Sequence, residues 1–230
     1  MFSRARACVH RAADRRRRHT LWAVDSLLAF AAGLVSLRLA GALLRRWRAR
    51  RAPELAAWSA SLLAYALASA ATAWGAAHGW DSRSFRLYYL CGGLLTAPLL
   101  GVGSLLLAGR RWAAPIGLLY SGLAVGIAIA VPLGSVAGTA IPKAQDVLEF
   151  VPARLVAVTA NSAGTLAVVV VALATVRRRP LGNVLILAGV AMAGAGTALA
   201  GLGAARTSAF TLLAVVLLYG GFVTARTRST

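Results

Sequence analysis

The chain has 230 residues, 59% of them hydrophobic and only 13% charged, with a mean hydropathy of +0.73 and a formal charge of +19. Soluble domains are closer to half apolar with about a quarter of their residues charged, so a soluble globular protein is excluded, and the length leaves room for one bundle without a large extra domain. The charge lies in short clusters between apolar runs, with no basic amphipathic domain; this argues against nucleic acid and for cytoplasmic retention and anionic lipid headgroups as its purpose.

Residues 1–20 form a basic tail with seven arginines, including Arg15 to Arg18. It reads either as a disordered segment or as a mis-assigned start, with translation beginning near Leu21 or Val24. Seven apolar stretches follow, at about 21–44, 55–78, 86–108, 113–134, 154–176, 181–204 and 208–225. Each is near the roughly 20 residues that cross about 30 Å of hydrocarbon. Backbone groups in lipid must be satisfied within the segment, and the runs lack the alternation of barrel strands. The fold class is therefore all-α, a polytopic transmembrane bundle of seven helices. The transmembrane domain spans 21–225 and the C-terminal tail 226–230.

Helix boundaries carry physical markers. Pro53 and Glu54 open the second helix, and Pro180 opens the sixth, where a missing N–H costs nothing. Trp47, Trp80 and Trp112 are expected at the membrane interfaces, and the repeated Arg-Arg-Trp at 45–47 and 110–112 reads as two interface anchors. Pro98 is expected to kink the third helix and Pro132 the end of the fourth. The longest loop, about 135–153, has room for a short interfacial turn of helix. Cys8 and Cys91 make an improbable disulfide, and Cys91 reads as a packing residue. Gly93-x-x-x-Ala97-x-x-x-Gly101 and Gly122-x-x-x-Gly126 are close-packing patterns, expected to join helices within the chain.

Twenty-four arginines against one lysine, with abundant alanine and glycine, give the chain a composition that resembles the many uncharacterised multi-pass integral membrane proteins of high-GC actinobacteria. The resemblance is one of composition, so it implies a bacterial inner membrane but transfers no functional residue.

Loops 45–54, 109–112 and 177–180 with the C-terminal tail carry twelve basic residues on one side of a seven-helix bundle. The other side has five outside the tail: Arg83, Arg86, Lys143, Arg154 and Arg206. The positive-inside rule then puts the first side in the cytoplasm and the N-terminus outside. The seven tail arginines level the count at twelve each. Either the bundle is inverted or the start is mis-assigned; four separate segments agree on the N-out arrangement. A cleavable signal ending at Ala40-Gly41-Ala42 is a weaker reading, because its apolar run is too long and cleavage would leave the 45–51 arginines outside.

Ionisable groups inside a membrane are costly and are candidates by default. Asp25 shares a stripe with Ala29, Ala32, Gly33 and Ser36 and is expected to face the bundle interior. Arg38 is expected to face outward and snorkel. Arg154, Asn161 and Thr165 share a face of the fifth helix, with Ser162 beside it. His78, Asp81 and Arg86 fall at the level of Asp25 and Arg154. A polar pocket of Asp25, His78, Asp81, Arg86, Arg154, Asn161 and Thr165 is the candidate site. The plainer expectation for the same residues is an ion pair of Asp25 with Arg86 or Arg154, a solvated His78 and Asp81 as a helix cap.

No metal-hydrolase, nucleotide-binding or nucleophile-elbow motif is present. Neither a metal nor a cofactor is expected; retinal needs a lysine in the membrane, and Lys143 lies in a loop. The expected function is a non-enzymatic sensory or partner-binding membrane module, with a membrane protein as partner. The alternative is a small permease or transporter subunit for a polar or lipid solute, with a membrane-embedded enzyme third. A transporter predicts a water-lined path to mid-membrane, a module a closed bundle with a pocket at one face, and an enzyme Asp25, His78 and Asp81 within hydrogen-bond reach.

Overall fold

The computed structural model describes residues 27, 30–136, 138, 141–148, 150–177, 180–201 (side chains to 193), 213–218 and 220–221. The tail 1–20, Asp25, Ala29 and the C-terminal tail lie outside the described residues. The described chain is all-α. Helix α1 runs through 30–50, α2 is Pro53–His78, α3 Ser82–Leu107, α4 Ala113–Ala130, α5 Ala144–Val147, α6 Val151–Thr175 and α7 Pro180–Gly201. Residues 213–218 and 220–221 are helical again and form α8. Each of the seven apolar stretches thus carries helix. Among the described residues, four helices (α2, α3, α4 and α6) are long and apolar enough to cross a membrane.

Local chemistry sets the helix starts. Pro53 and Pro152 occupy the first two positions of α2 and α6, where no intrahelical N–H bond is lost. Pro152 explains why α6 begins three residues before the expected 154. Helix α3 begins four residues before the expected 86, because Asp81 and Ser84 form a capping box. The fourth helix corrects the expectation in the other direction. It ends at Ala130, not 134, with Val131 already extended (ψ 127°). A residue before proline is pushed out of the helical region, so Pro132 terminates α4 and does not kink it. The short turn expected in the long loop is α5.

Contacts between helices fix their directions. Ser61 in α2 meets Thr96 in α3, and Tyr120 in α4 meets Leu94 in α3. Ala68 of α2 also lies against Gly92, and Gly117 of α4 against Val102, so α2 and α4 both run antiparallel to α3. Helices α3 and α6 run parallel: Tyr89 meets Ala153, Gly93 meets Asn161 and Gly101 meets Gly164. Gly33 of α1 abuts Ser69 of α2, and Gly221 of α8 abuts Gly182 of α7, each again antiparallel. The end of α1 and the turns after α3 and α6, which hold Arg45–Arg51, Arg110–Arg111 and Arg177, therefore lie at one end of the bundle. The loop between α4 and α6 lies at the other.

Each end has its own core. At the arginine-rich end Leu39, Ala40 and Leu43 of α1 pack on Trp58 and Leu62 of α2. Gly103 supplies the space for the Trp58 indole; a Cβ there would lie 2.5 Å from its Nε1. At the loop end Trp80, Phe85, Tyr89, Ala124, Val131, Val147, Leu148 and Ala153 form one cluster. Trp80 corrects the interface expectation. It is 4% exposed, over Gly75, where a Cβ would come within 2.6 Å of its Cδ2, and edge-on to Tyr88 at 5.4 Å. Trp112 is exposed and Trp47 half-buried, and Arg51 stacks over the Trp47 ring at 5.4 Å.

The small-residue expectations divide. On α3 the Gly93–Ala97–Gly101 stripe faces α6. A Cβ on Gly101 would lie 2.6 Å from the Gly164 Cα, so the two backbones touch. On α4, Gly122 and Gly126 are exposed with nothing among the described residues within 4 Å of an added Cβ; among the described residues that pair joins no helices. Cys91 is buried beside Ala64 and Ala68 as a packing residue. Arg38 is exposed, while Ala32, Gly33 and Ser36 on the opposite stripe are buried, both as expected.

Candidate functional site

The structure places the described candidate residues in separate settings, and Asp25 lies outside the described residues. His78 is exposed in the last turn of α2, stacked on Trp74 with ring centroids 4.2 Å apart. Asp81 is turned into its own helix start. Its Oδ1 accepts from the Ser84 N–H at 2.8 Å, and the Ser84 hydroxyl accepts from the Asp81 N–H at 3.1 Å. Asp81 is thus a cap. A local hydrogen bond to an adjacent backbone N–H wins over a distant one.

Those bonds hold the Asp81 carboxyl below the usual carboxylate range; the Ser84 hydroxyl contributes most, then the Ser84 N–H, with a smaller contribution from Arg83. A folded-state value below that of the unfolded chain means the cap stabilises fully above about pH 4 and loses that contribution as pH falls through the lowered value. Asp81→Asn is expected to lower thermal stability at neutral pH and to match the unaltered protein on acidification below that value. A deficit that persists undiminished in acid would show that ionisation of Asp81 is not what matters.

Arg86 reaches across to α4. Its Nη1 donates to the carbonyls of Ala128 at 2.5 Å and Ile129 at 3.1 Å. These are among the last carbonyls of α4, which have no backbone donor and carry the negative end of the helix dipole. Arg154 stands half-buried in the first turn of α6, next to Ala153, whose carbonyl accepts the Tyr89 hydroxyl at 3.3 Å. Among the described residues neither arginine has a carboxylate partner.

Asn161 faces inward as expected, and its amide bonds the carbonyls of Gly93 in α3 and Ala157 in its own helix. Thr165 and Ser162 do not join it; both are exposed. The buried face of α6 follows Ala153, Ala157, Gly164, Val168 and Ala172. By the 3.6-residue period Thr165 falls about 75° from the centre of that face, Asn161 only about 35°. Three polar residues sharing a loose stripe are therefore not three inward residues.

The residues brought together lie deeper, around the middle of α3. Pro98 has no N–H to offer the carbonyl of Leu94, four residues earlier, and its ring crowds that turn. Helix α3 answers by widening to π-helical geometry over Tyr89–Leu95, closed by the Thr96 N–H bonding the Cys91 carbonyl. Where a kink at Pro98 is expected, the structure shows this π-helical stretch in the turns before it. Three neighbouring helices supply donors to the altered carbonyls. Tyr120 of α4 donates its hydroxyl to Leu94 at 2.8 Å, the acceptor that Pro98 leaves vacant. Asn161 of α6 donates to Gly93, and Ser61 of α2 donates to Thr96 at 2.6 Å. The Thr96 hydroxyl bonds the Cys91 carbonyl at 2.7 Å.

Ser61, Thr96 and Tyr120 were not among the sequence candidates. Their signal was present: a mid-span proline orphans one known carbonyl, and Tyr120 is the only tyrosine in the facing span. Chemically the network is a set of donors already spent on backbone. The described polar side chains of this layer are arranged for holding helices in register, with no free acid, base or nucleophile aimed at a common point. At the loop end, a cavity of about 10 Å³ lies beside Arg86, lined by Phe85, Tyr89, Ile127, Ala128, Val131, Leu133 and Leu148. That is about the least space that holds one water. No group of three or more potential metal ligands occurs among the described residues. Comparison with protein-family models, curated proteins and solved structures finds no match to the chain.

Proposed function

We propose that the protein is a seven-crossing component of the bacterial inner membrane that acts as a sensory or partner-binding module, without catalysing a reaction. The arginine-rich end lies in the cytoplasm, where Arg45–Arg51, Arg110–Arg111 and the arginines after α6 meet anionic headgroups. The N-terminus is then outside and the C-terminus inside. The observation that carries the reading is the closed layer around α3, where Tyr120, Asn161 and Ser61 are all consumed in interhelical bonds. A closed core with a small, mostly apolar recess at the loop end suits a protein whose surface meets a membrane partner. It does not suit a solute path. His78 on Trp74 and Asp81 in its capping box are likewise unsuited to shared acid–base work.

One observation favours the permease alternative. A broken helix near mid-membrane is a recurrent element of transporter sites, and α3 is interrupted over Tyr89–Leu95. The two readings separate in proteoliposomes. The module reading predicts no faster release of entrapped sugars or amino acids than from protein-free vesicles, together with a membrane protein recovered in fixed stoichiometry after cross-linking in native membranes. Saturable release of any such solute would replace the module with the permease.

A further inference from the structure

We propose that the arginine-rich end holds one lipid carrying two phosphates, which bridges the turn between α1 and α2 and the turn between α3 and α4. The inference rests on the reading that this end meets anionic headgroups, but not on which side of the membrane it faces. Trp58 of α2 touches Gly103 of α3, and the two helices run antiparallel. Arg51 stands seven residues before Trp58, and Arg110 seven after Gly103. The Arg50–Arg51 and Arg110–Arg111 pairs therefore emerge at one level from adjoining helix ends, with axes about 8–10 Å apart. All four residues are exposed. The Arg51 backbone N–H bonds the Trp47 carbonyl at 2.7 Å, and its guanidinium stacks over the Trp47 ring.

The charge at this end exceeds what the chain can set against it. Arg45, Arg48, Arg50, Arg51, Arg110, Arg111 and Arg177 are all exposed there. The whole chain has six acidic side chains, and Asp81 and Asp146 lie at the opposite end. Were Glu54, Asp14, Asp25, Glu149 and the terminal carboxylate all gathered among these seven arginines, at least two would still lack a carboxylate. Surplus guanidinium charge at the edge of an apolar layer draws an anion, and its planar donor fork fits phosphate.

Depth selects a lipid over an anion in solution. Trp47 is half-buried and Trp112 exposed beside these pairs, as interfacial indoles are. Leu44, Leu107 and Ile116, next to them in the chain, are exposed too. They give acyl chains an apolar surface directly under the arginines. Two phosphates on one glycerol suit two arginine pairs: once the first is held, the second binds at high effective concentration.

The test measures binding of fluorescent diphosphatidylglycerol and phosphatidylglycerol to the full chain in neutral detergent, compared at equal phosphate, with phosphatidylcholine as the baseline. Diphosphatidylglycerol is expected to bind about tenfold more tightly than phosphatidylglycerol, and both above phosphatidylcholine. Arg110→Gln with Arg111→Gln should weaken the two-phosphate lipid about 25-fold, about fivefold for each arginine, and erase its advantage. Arg50→Gln with Arg51→Gln should do the same, so either variant that melts normally decides the matter. Arg83→Gln, at the opposite end, should change nothing. Equal binding of the two anionic lipids, or an advantage that survives these double substitutions, would overturn the bridge and leave the headgroup reading standing. Binding of neither above phosphatidylcholine would overturn both. Excess inorganic pyrophosphate or a polyglutamate peptide should fail to compete; full competition by the first would make the ligand a free anion, by the second an acidic protein segment, and either would overturn the lipid assignment. Because detergent removes sidedness, an inverted topology leaves these outcomes unaltered.

Discussion

Replacing Gly164 by valine is expected to destabilise the bundle more than any other single change considered, by about 3 kcal/mol or more. The reason is geometric. A Cβ on Gly164 would meet the Ala97 carbonyl and stand 2.8 Å from the Pro98 Cα. Neither is the end of a flexible side chain, so one helix must move away from the other. In a membrane, helices gain little from hydrophobic exclusion and depend on such close approach. Separating α3 from α6 would also pull Asn161 from the Gly93 carbonyl. Gly126→Ala is the control: nothing among the described residues lies within 4 Å of the added Cβ, and a change within about 0.5 kcal/mol is expected. Unfolding in mixed micelles reads both. A Gly164→Val protein as stable as Gly126→Ala would mean that α3 and α6 do not touch here.

The second large effect is a coupling between Pro98 and Tyr120. Tyr120→Phe removes the donor to the Leu94 carbonyl, and Leu94 is completely buried. A buried acceptor left unpaired costs about 1–3 kcal/mol, while interhelical bonds measured in membranes average nearer 0.6, so a loss of about 1–2 kcal/mol is expected. Pro98→Ala returns an N–H to position 98, four residues after Leu94. In that background Tyr120→Phe should cost no more than about half as much, which a double-mutant cycle measures directly. Equal costs in both backgrounds would show that Tyr120 does not substitute for the donor proline lacks.

Much of this was legible in the chain, and the failures share a cause. Alternating apolar runs and arginine clusters showed the seven helices and their turns, because hydropathy acts at the scale of a whole span. The Gly93–Ala97–Gly101 stripe was readable as a contact face, but its partner Gly164 was not, since a stripe does not name the helix it meets. Pro98 announced a disturbance; where it fell depended on the i−4 carbonyl it crowds, one turn earlier. Thr165 was misplaced because a polar stripe is an angular average, and the wall of α3 accommodates only its inner edge. His78, Asp81 and Arg86 shared a level but not a pocket. Each found a nearer partner, Trp74, Ser84 and the end of α4, and such short-range bonds are invisible to an argument about depth alone. Trp80 was assigned to the interface by residue type, and only the missing side chain at Gly75 shows why it is core.

The proposed cytoplasmic placement of the arginine-bearing turns is read by single cysteines at Arg111 and at Lys143 in a chain with Cys8→Ser and Cys91→Ala. In intact cells a membrane-impermeant maleimide should label position 143 and leave position 111 unlabelled until the membrane is opened. Labelling of position 111 in intact cells, or of neither position even after opening, would contradict the account.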